Sequence, residues 1–140
     1  MRWYRVLIVL LATFGTTGSA LASVVVRVDL SSQRMHVIVN GSHYATWSVS
    51  SGRRGYRTPT GNYRPKLLKR RHYSTKYHGS PMPYSIFFRG GYAIHGTYET
   101  RALGRPVSHG CIRLRSRNAA ELFSLVRRYG KANTRIVIRH

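Results

Sequence analysis

From residue 24 onward the sequence is written in short β-rich pieces, and this constrains the fold more than any other feature. Val, Ile, Tyr, Trp and Thr recur at strand-like spacing over residues 24–28, 35–39 and 44–49. Asn40 and Gly41 stand between the second and third pieces. That pair readily takes the two positive φ values of a type I′ turn, so the two pieces are expected to form a hairpin. Further strands are expected at residues 62–64 and 135–138, and at residues 86–88 and 92–94, the last two joined as a hairpin around Arg89, Gly90 and Gly91. One helix breaks the pattern. Ala119, Leu122, Phe123, Val126 and Tyr129 recur along one helical face, which predicts a helix over residues 117–129 with Ser116 as N-cap and Gly130 at C′. No internal repeat or low-complexity segment appears, so the sequence reads as one mostly β domain with a single helix packed on it.

The first 22 residues differ in kind. Arg2 and Arg5 precede an apolar run over residues 6–14, and small residues follow, ending in Ala20, Leu21 and Ala22. This is the basic, apolar and cleavage-site order of a signal peptide. The competing reading is a membrane anchor, but the run is well short of the roughly 20 apolar residues that span a bilayer. We therefore expect a signal peptide at residues 1–22, a mature domain at residues 23–140, and no transmembrane segment after cleavage. The protein would then be exported, to the periplasm or cell wall. A remainder of roughly 118 residues suffices for one compact core.

Composition bears on partners. The chain has 24 Lys and Arg against three acidic residues, Asp29, Glu99 and Glu121, a formal net charge of +21. Such a field seeks anions, and nucleic acid is its usual partner. An exported protein more often meets cell-wall carboxylates, anionic lipid or wall polymers, so no nucleic acid is expected and anionic envelope polymers are the candidates. The charge also serves solubility and by itself names no function. Residues 50–61 read as a turn-laden loop. Residues 66–83 interleave Lys66, Lys69, Arg70, Arg71 and Lys76 with His72, Tyr73, Tyr77 and His78 and show no strand or helical period. Two readings of this surface flap compete, a lid or binding loop and a disordered basic excursion. Tyr73, Tyr77, Met82 and Tyr84 are candidates for its cleft side, or for core packing.

Cys111 is the only cysteine, so no internal disulfide can form, although export delivers the chain to a compartment where thiols are normally oxidised. Its neighbours suggest a reason for it. His95, Gly96 and Thr97 are followed by Ser108, His109, Gly110, Cys111, Ile112, Arg113 and Leu114, the one place where Cys, His and Gly cluster. A thiol attacks a carbonyl as thiolate, and His95, His109 and Arg113 supply a base or a positive field. Gly110 removes bulk beside the nucleophile, and consecutive N–H groups in such a turn can form an oxyanion hole. The same His95, His109 and Cys111 are chemically competent zinc ligands. No Cys-x-x-Cys or His-Glu-x-x-His spacing accompanies them, and no acidic residue stands near enough to be an obvious base, so neither metal nor other cofactor is expected. His36, His43, His72, His78 and His140 are read as surface or strand-face residues. Residue chemistry thus reaches a nucleophilic cysteine with a histidine base, and stops short of a substrate.

The segments Ile94-His95-Gly96-Thr97 and Ser108-His109-Gly110-Cys111-Ile112-Arg113-Leu114 resemble the active-site signature of the L,D-transpeptidase (YkuD-type) catalytic domain family. The likeness extends to Val28-Asp29-Leu30-Ser31-Ser32-Gln33, to Val49-Ser50-Ser51-Gly52, to Thr58-Pro59-Thr60-Gly61, and to Met82-Pro83-Tyr84 with Phe87 and Phe88. It covers nearly the whole mature chain, and no extra binding module is expected.

The resemblance implies a β-sandwich of the L,D-transpeptidase catalytic domain type, with one packed C-terminal helix and a lid loop over a cleft. In it Cys111 would be acylated by the tetrapeptide stem of peptidoglycan with release of D-Ala, and the acyl group would pass to an amine of a neighbouring stem as a 3→3 cross-link. His95 would be the base, its imidazole oriented by a main-chain carbonyl, which places Gly96 with the catalytic set. His109, Gly110 and Cys111 would frame the oxyanion hole, and Ser108 would brace the turn. Arg113 either clamps a stem carboxylate or pairs structurally beneath the nucleophile. Transfer to water would make a carboxypeptidase of the same site. A cationic wall-binding protein without turnover is the alternative from another class. A monomer is expected.

Overall fold

The computed structural model describes residues 23–140, and the signal peptide expected at residues 1–22 lies outside the described residues. Two sheets and one longer helix make up the domain. The first sheet contains β1 (Val24–Asp29), β2 (Arg34–Val39), β3 (Ser42–Ser48), β4 (Gly61–Tyr63) and β9 (Thr134–Arg139), in the order β3-β2-β1-β9-β4. The second contains β5 (Leu67–Lys69), β6 (Ser85–Arg89), β7 (Tyr92–Thr97) and β8 (Ile112–Arg115), in that order.

The period of two seen in the sequence decides which side of the first sheet is buried. Val24, Val26 and Val28 of β1 are buried, while Arg27 between them is exposed. Val26 pairs with Val37 on one side and Ile136 on the other, so inward side chains lie beside inward side chains. The expected β2–β3 hairpin forms: Val39 pairs with Ser42 across a two-residue turn, and Asn40 and Gly41 take φ of 50° and 79°. Strand β9 runs parallel to β1 and antiparallel to β4, which places the end of the chain inside the sheet.

In the second sheet β5, β6 and β7 are antiparallel, with β6 and β7 joined as the expected hairpin. Strand β8 is parallel to β7. A parallel pair needs a crossover, and here the chain leaves β7, passes a short 3-10 turn at Thr100–Ala102 and returns to start β8 beside the start of β7. Neither β5 nor β8 was anticipated from the sequence.

Helix α1 (Ser116–Tyr129) buries Ala119, Leu122, Phe123, Leu125 and Val126. They join Ile86, Phe88, Ile94, Ile112 and Leu114 of the second sheet and the inward valines and isoleucines of the first in one apolar core. The N-cap expectation is corrected. Ser116 is the first helical residue, Arg115 holds the cap position, and the helix start has no side-chain cap bond. The Ser116 hydroxyl instead donates to the Thr97 carbonyl at 3.2 Å, because α1 follows β8 without a linker and its first side chain meets the end of β7. At the other end Gly130, expected at C′, holds the C-cap position with φ 93° and closes the helix.

The basic flap has structure of its own. Beyond β5 it doubles back through a turn in which Gly79 N–H donates to Ser74 O at 3.0 Å and Ser74 N–H to Ser80 O at 2.9 Å. Met82 N–H to His72 O and Tyr84 N–H to Arg70 O, both 2.8 Å, tie its base. Tyr84 packs edge-on against Phe123 of the core, and Tyr73 is exposed. Among the described residues no helix is long and apolar enough to cross a membrane.

Candidate active site

The parallel pairing of β7 and β8 brings the two halves of the Cys-His cluster together. Ile94 pairs with Ile112 and His95 with Arg113, so Cys111, one residue before β8, comes to the side of β7 near Ala93. His95, Ser108, His109, Cys111 and Arg113 line one cavity of about 460 Å³. Gly96 and Gly110 are buried and do not line it.

His95 is 6% exposed, and its Nδ1 lies 2.7 Å from the carbonyl oxygen of Gly96. A carbonyl only accepts, so Nδ1 carries the hydrogen and Nε2 of the neutral ring keeps its lone pair. Burial pushes the imidazole pKa down to about 4, opposed by the Gly96 hydrogen bond and assisted by the charge of Arg113. Gly96 has no room for a side chain: a Cβ there would lie 2.9 Å from Ser116 Cα and 3.1 Å from Pro83 Cγ. Its N–H donates to Pro83 O at 2.8 Å, so His95 sits on a tightly held strand segment.

The Cys111 thiol, half-buried, donates to the carbonyl of Gly91 at 3.7 Å. Burial raises its pKa, while the Ala93 N–H and the charge of Arg113 act in the opposite direction. Both partners of the Cys-His pair are therefore pushed toward their neutral forms.

The turn carrying Cys111 is fixed by the polar residues around it. Ser108, 1% exposed, donates through Oγ to Cys111 O at 2.6 Å and accepts from Gly110 N–H at 3.1 Å. Its own main chain pairs with the 50–53 segment through Ser108 N–H to Ser51 O and Arg53 N–H to Ser108 O, both 3.0 Å. Thr58 Oγ1 donates to Gly110 O at 2.8 Å and accepts from Gly52 N–H at 2.9 Å. Gln33, buried at the β1–β2 turn, donates to Ser51 Oγ at 2.7 Å and accepts from Ser51 N–H at 2.9 Å. A hydrogen-bonded relay from Gln33 through Ser51 to Ser108 thus reaches the turn that carries Cys111. Gly110 sits at φ +122°, and a Cβ there would meet the Tyr92 ring at 2.6 Å. Its N–H is engaged by Ser108, whereas the N–H groups of His109 and Cys111 have no backbone partner among the described residues.

Arg113 pairs through its main chain with Ser50, N–H to O at 2.8 Å and O to N–H at 3.0 Å, while its side chain lines the cavity. The strand position is structural and the guanidinium faces the site. His109 lies under the flap: the Tyr77 ring stacks on it at 4.1 Å and 9°, and Tyr56 meets it edge-on at 4.9 Å. Desolvation, then the charges of Arg53, Arg113 and Lys76, lower its pKa.

Sequence reasoning left several cavity residues outside the site. Tyr77 and Met82, for which the sequence leaves cleft lining and core packing equally open, both line the cavity, as do Lys76, Tyr92 and Glu99, which carry no such signal. Tyr77 sits in a run without periodicity, and only its contact with His109 distinguishes it from Tyr73.

The family model described as L,D-transpeptidase catalytic domain matches residues 23–138. A curated relative, the putative L,D-transpeptidase YkuD of Bacillus subtilis, is 26% identical over 103 residues, covering 72% of this chain and 59% of that protein. Among solved structures, an L,D-transpeptidase from Mycobacterium tuberculosis superposes with a TM-score of 0.77 at 21% identity, over 85% of this chain and 58% of that one. The L,D-transpeptidase LdtMt1, solved in complex with imipenem, gives 0.75 at 21% identity, over 84% and 59%. At these identities the two structures speak to the fold. The chain spans about three fifths of the length of each of the three.

Proposed function

We propose, for a chain that belongs to the L,D-transpeptidase catalytic domain family, that it is a peptidoglycan L,D-transpeptidase with Cys111 as nucleophile and His95 as base. The observation that carries this reading is the His95 Nδ1 to Gly96 O hydrogen bond, which leaves Nε2 as the basic atom in the cavity that also holds Cys111.

In the proposed reaction Cys111 Sγ attacks the carbonyl of the stem's third residue. With the thiol pKa raised and the imidazole lowered to about 4, the resting pair is neutral, and the proton passes to Nε2 as the C–S bond forms. The oxyanion is received by the N–H groups of Cys111 and His109. The C–N bond to D-Ala then breaks, and His95 returns the proton to the leaving amine. A neighbouring stem amine attacks the thioester, its proton passes through His95 to sulfur, and a 3→3 cross-link results. Gly96 orients the base, Ser108 and Gly110 shape the turn, and Arg113 supplies positive charge to the pair. Catalysis needs no metal or cofactor in this scheme.

The substrate and address follow from the same reading. Stem peptides are the partners, anionic envelope polymers suit the remaining charge, and a monomer is sufficient. Export to the periplasm or cell wall, with cleavage before Ser23, rests on the basic, apolar and small-residue order of residues 1–22.

Purified protein incubated with disaccharide tetrapeptide, with products read by mass, tests the reading. Dimer formation, absent in Cys111→Ala, supports transpeptidation. Tripeptide alone makes the enzyme a carboxypeptidase, and an unchanged substrate overturns the proposal.

A further inference from the structure

The chain has three acidic side chains against 24 basic ones, and their placement is not uniform. Asp29 is turned into its own loop, accepting from Ser31 N–H, Ser31 Oγ and Ser32 N–H. Glu121 accepts from the Tyr44 hydroxyl on the helix surface. Glu99 alone lines the cavity that holds Cys111. It follows the end of β7 four residues after His95, its N–H donates to Thr97 Oγ1 at 3.1 Å, and it precedes the 3-10 turn Thr100–Ala102 with no side-chain cap bond to it. The backbone beneath this exposed carboxylate is therefore held in register with the base.

Every other formal charge on that cavity is positive, at Lys76 and Arg113. Those cations suit a donor rich in carboxylates and oppose the approach of an ammonium. An amine acceptor is protonated in water near neutral pH, so a cleft serving both donor and acceptor needs a local charge of the other sign.

We propose that Glu99 is the specificity-determining residue of the acceptor half of the cleft, recruiting a primary ammonium group to the thioester ahead of water. This rests on the acyl-transfer reading above. The recruited ammonium loses one proton to solvent, and the free amine attacks the thioester carbonyl. The C–N bond forms, the C–S bond breaks, and the second proton passes through His95 to the Cys111 sulfur.

The test separates the two half-reactions in the mature chain. The acyl-enzyme is formed from disaccharide tetrapeptide, then captured either by Nα-acetyl-lysine amide, whose one ionised group is its side-chain ammonium, or by hydroxylamine, which is neutral at pH 7.5. Glu99→Gln is expected to raise the KM for the lysine amide roughly twofold to fivefold, as for loss of one exposed ion pair. It should shift products toward hydrolysis and leave the acylation rate and hydroxylamine capture as in the parent. Glu99→Lys should go further in the same direction. The parent's KM for the lysine amide should also rise with salt, and that of Glu99→Gln should not. An unchanged KM and salt response in both variants overturns the proposal, as does an equal fall in acylation and hydroxylamine capture, which marks a structural role. A parent protein that forms no acyl-enzyme overturns the acyl-transfer reading, and this inference with it.

Discussion

The imidazole Nδ1 of His95 is hydrogen-bonded, at 2.7 Å, to the carbonyl of Gly96, the next residue in the chain. A carboxylate in that place would hold the ring as imidazolium, whereas a carbonyl fixes the tautomer with little effect on its charge. With burial the dominant influence, the ring is neutral until the pH approaches 4. In the proposed reaction the proton accordingly moves during attack, and the resting pair is not a thiolate-imidazolium.

That arrangement sets the pH dependence of acylation. The acidic limb of the kcat/KM profile should fall near pH 4 to 5, well below the ordinary histidine value of 6.5. His95→Ala should slow acylation by about 10² to 10⁴. A profile that breaks at 6.5, or a loss confined to His109→Ala, would transfer the base role away from His95.

The same burial links His95 to stability. The unfolded chain takes up the proton near 6.5 and the folded chain near 4. Between those values the unfolded state binds more protons, so stability falls as pH drops through the window and is fully present above it. The contribution is at most about 3 kcal/mol. Urea unfolding at pH 7 and pH 4.5 measures it, and His95→Gln should flatten the slope; a variant with the parent's full pH dependence would place the effect elsewhere.

Much of this architecture was legible because it is local. Asn40-Gly41 announces its own turn, the period of Leu122, Phe123 and Val126 announces a helix, and Cys111, Gly110 and His109 cluster within a few residues. Strand β8 was read as chemistry alone, since a four-residue strand pairing in parallel across a crossover leaves no periodic signal. Ser116 carries the residue type of a cap, yet its hydroxyl is used by Thr97. Gln33 and Ser51 gain their meaning from partners distant in sequence. The stacking of Tyr77 on His109 likewise exists only once the flap folds over the cleft.

Gly110 should tolerate no side chain. Alanine there must hold φ +122° and push the Tyr92 ring, which a Cβ would approach to 2.6 Å. Each such strain costs about 1 to 3 kcal/mol. Gly110→Ala is expected to lower the unfolding midpoint and to cut acylation. Adding Tyr92→Ala should relieve the clash but leave the backbone strain, and full recovery of both properties in the double variant would show that the positive φ carries no cost.

Tyr77→Ala removes the stack that holds the flap on His109. Such aromatic contacts contribute about 0.5 to 1.5 kcal/mol beyond burial. We expect a KM for the tetrapeptide donor that rises by a few fold to about tenfold, with little change in the unfolding midpoint, because the Tyr77 ring is not part of the apolar core. A loss of global stability with an unchanged KM would make Tyr77 a packing residue.

The last prediction concerns inhibition. A strained lactam is an acyl donor whose carbonyl yields to a modest nucleophile, and a solved relative in fold carries imipenem. Cys111 opens on a cavity of about 460 Å³, ample for a small bicyclic lactam. A carbapenem should therefore form a stable covalent adduct on Cys111, found by intact mass and then located by peptide mass. Attack requires the proton to leave sulfur, and burial raises the thiol pKa, so adduct formation should quicken as pH rises from neutral toward alkaline. Cys111→Ala should give no adduct, and His95→Ala should slow its formation. An adduct on any other residue would refute Cys111 as nucleophile. Formation at an undiminished rate in His95→Ala would remove the base from the mechanism, and a folded, reduced protein that forms no adduct at any pH would count against a working transpeptidase site.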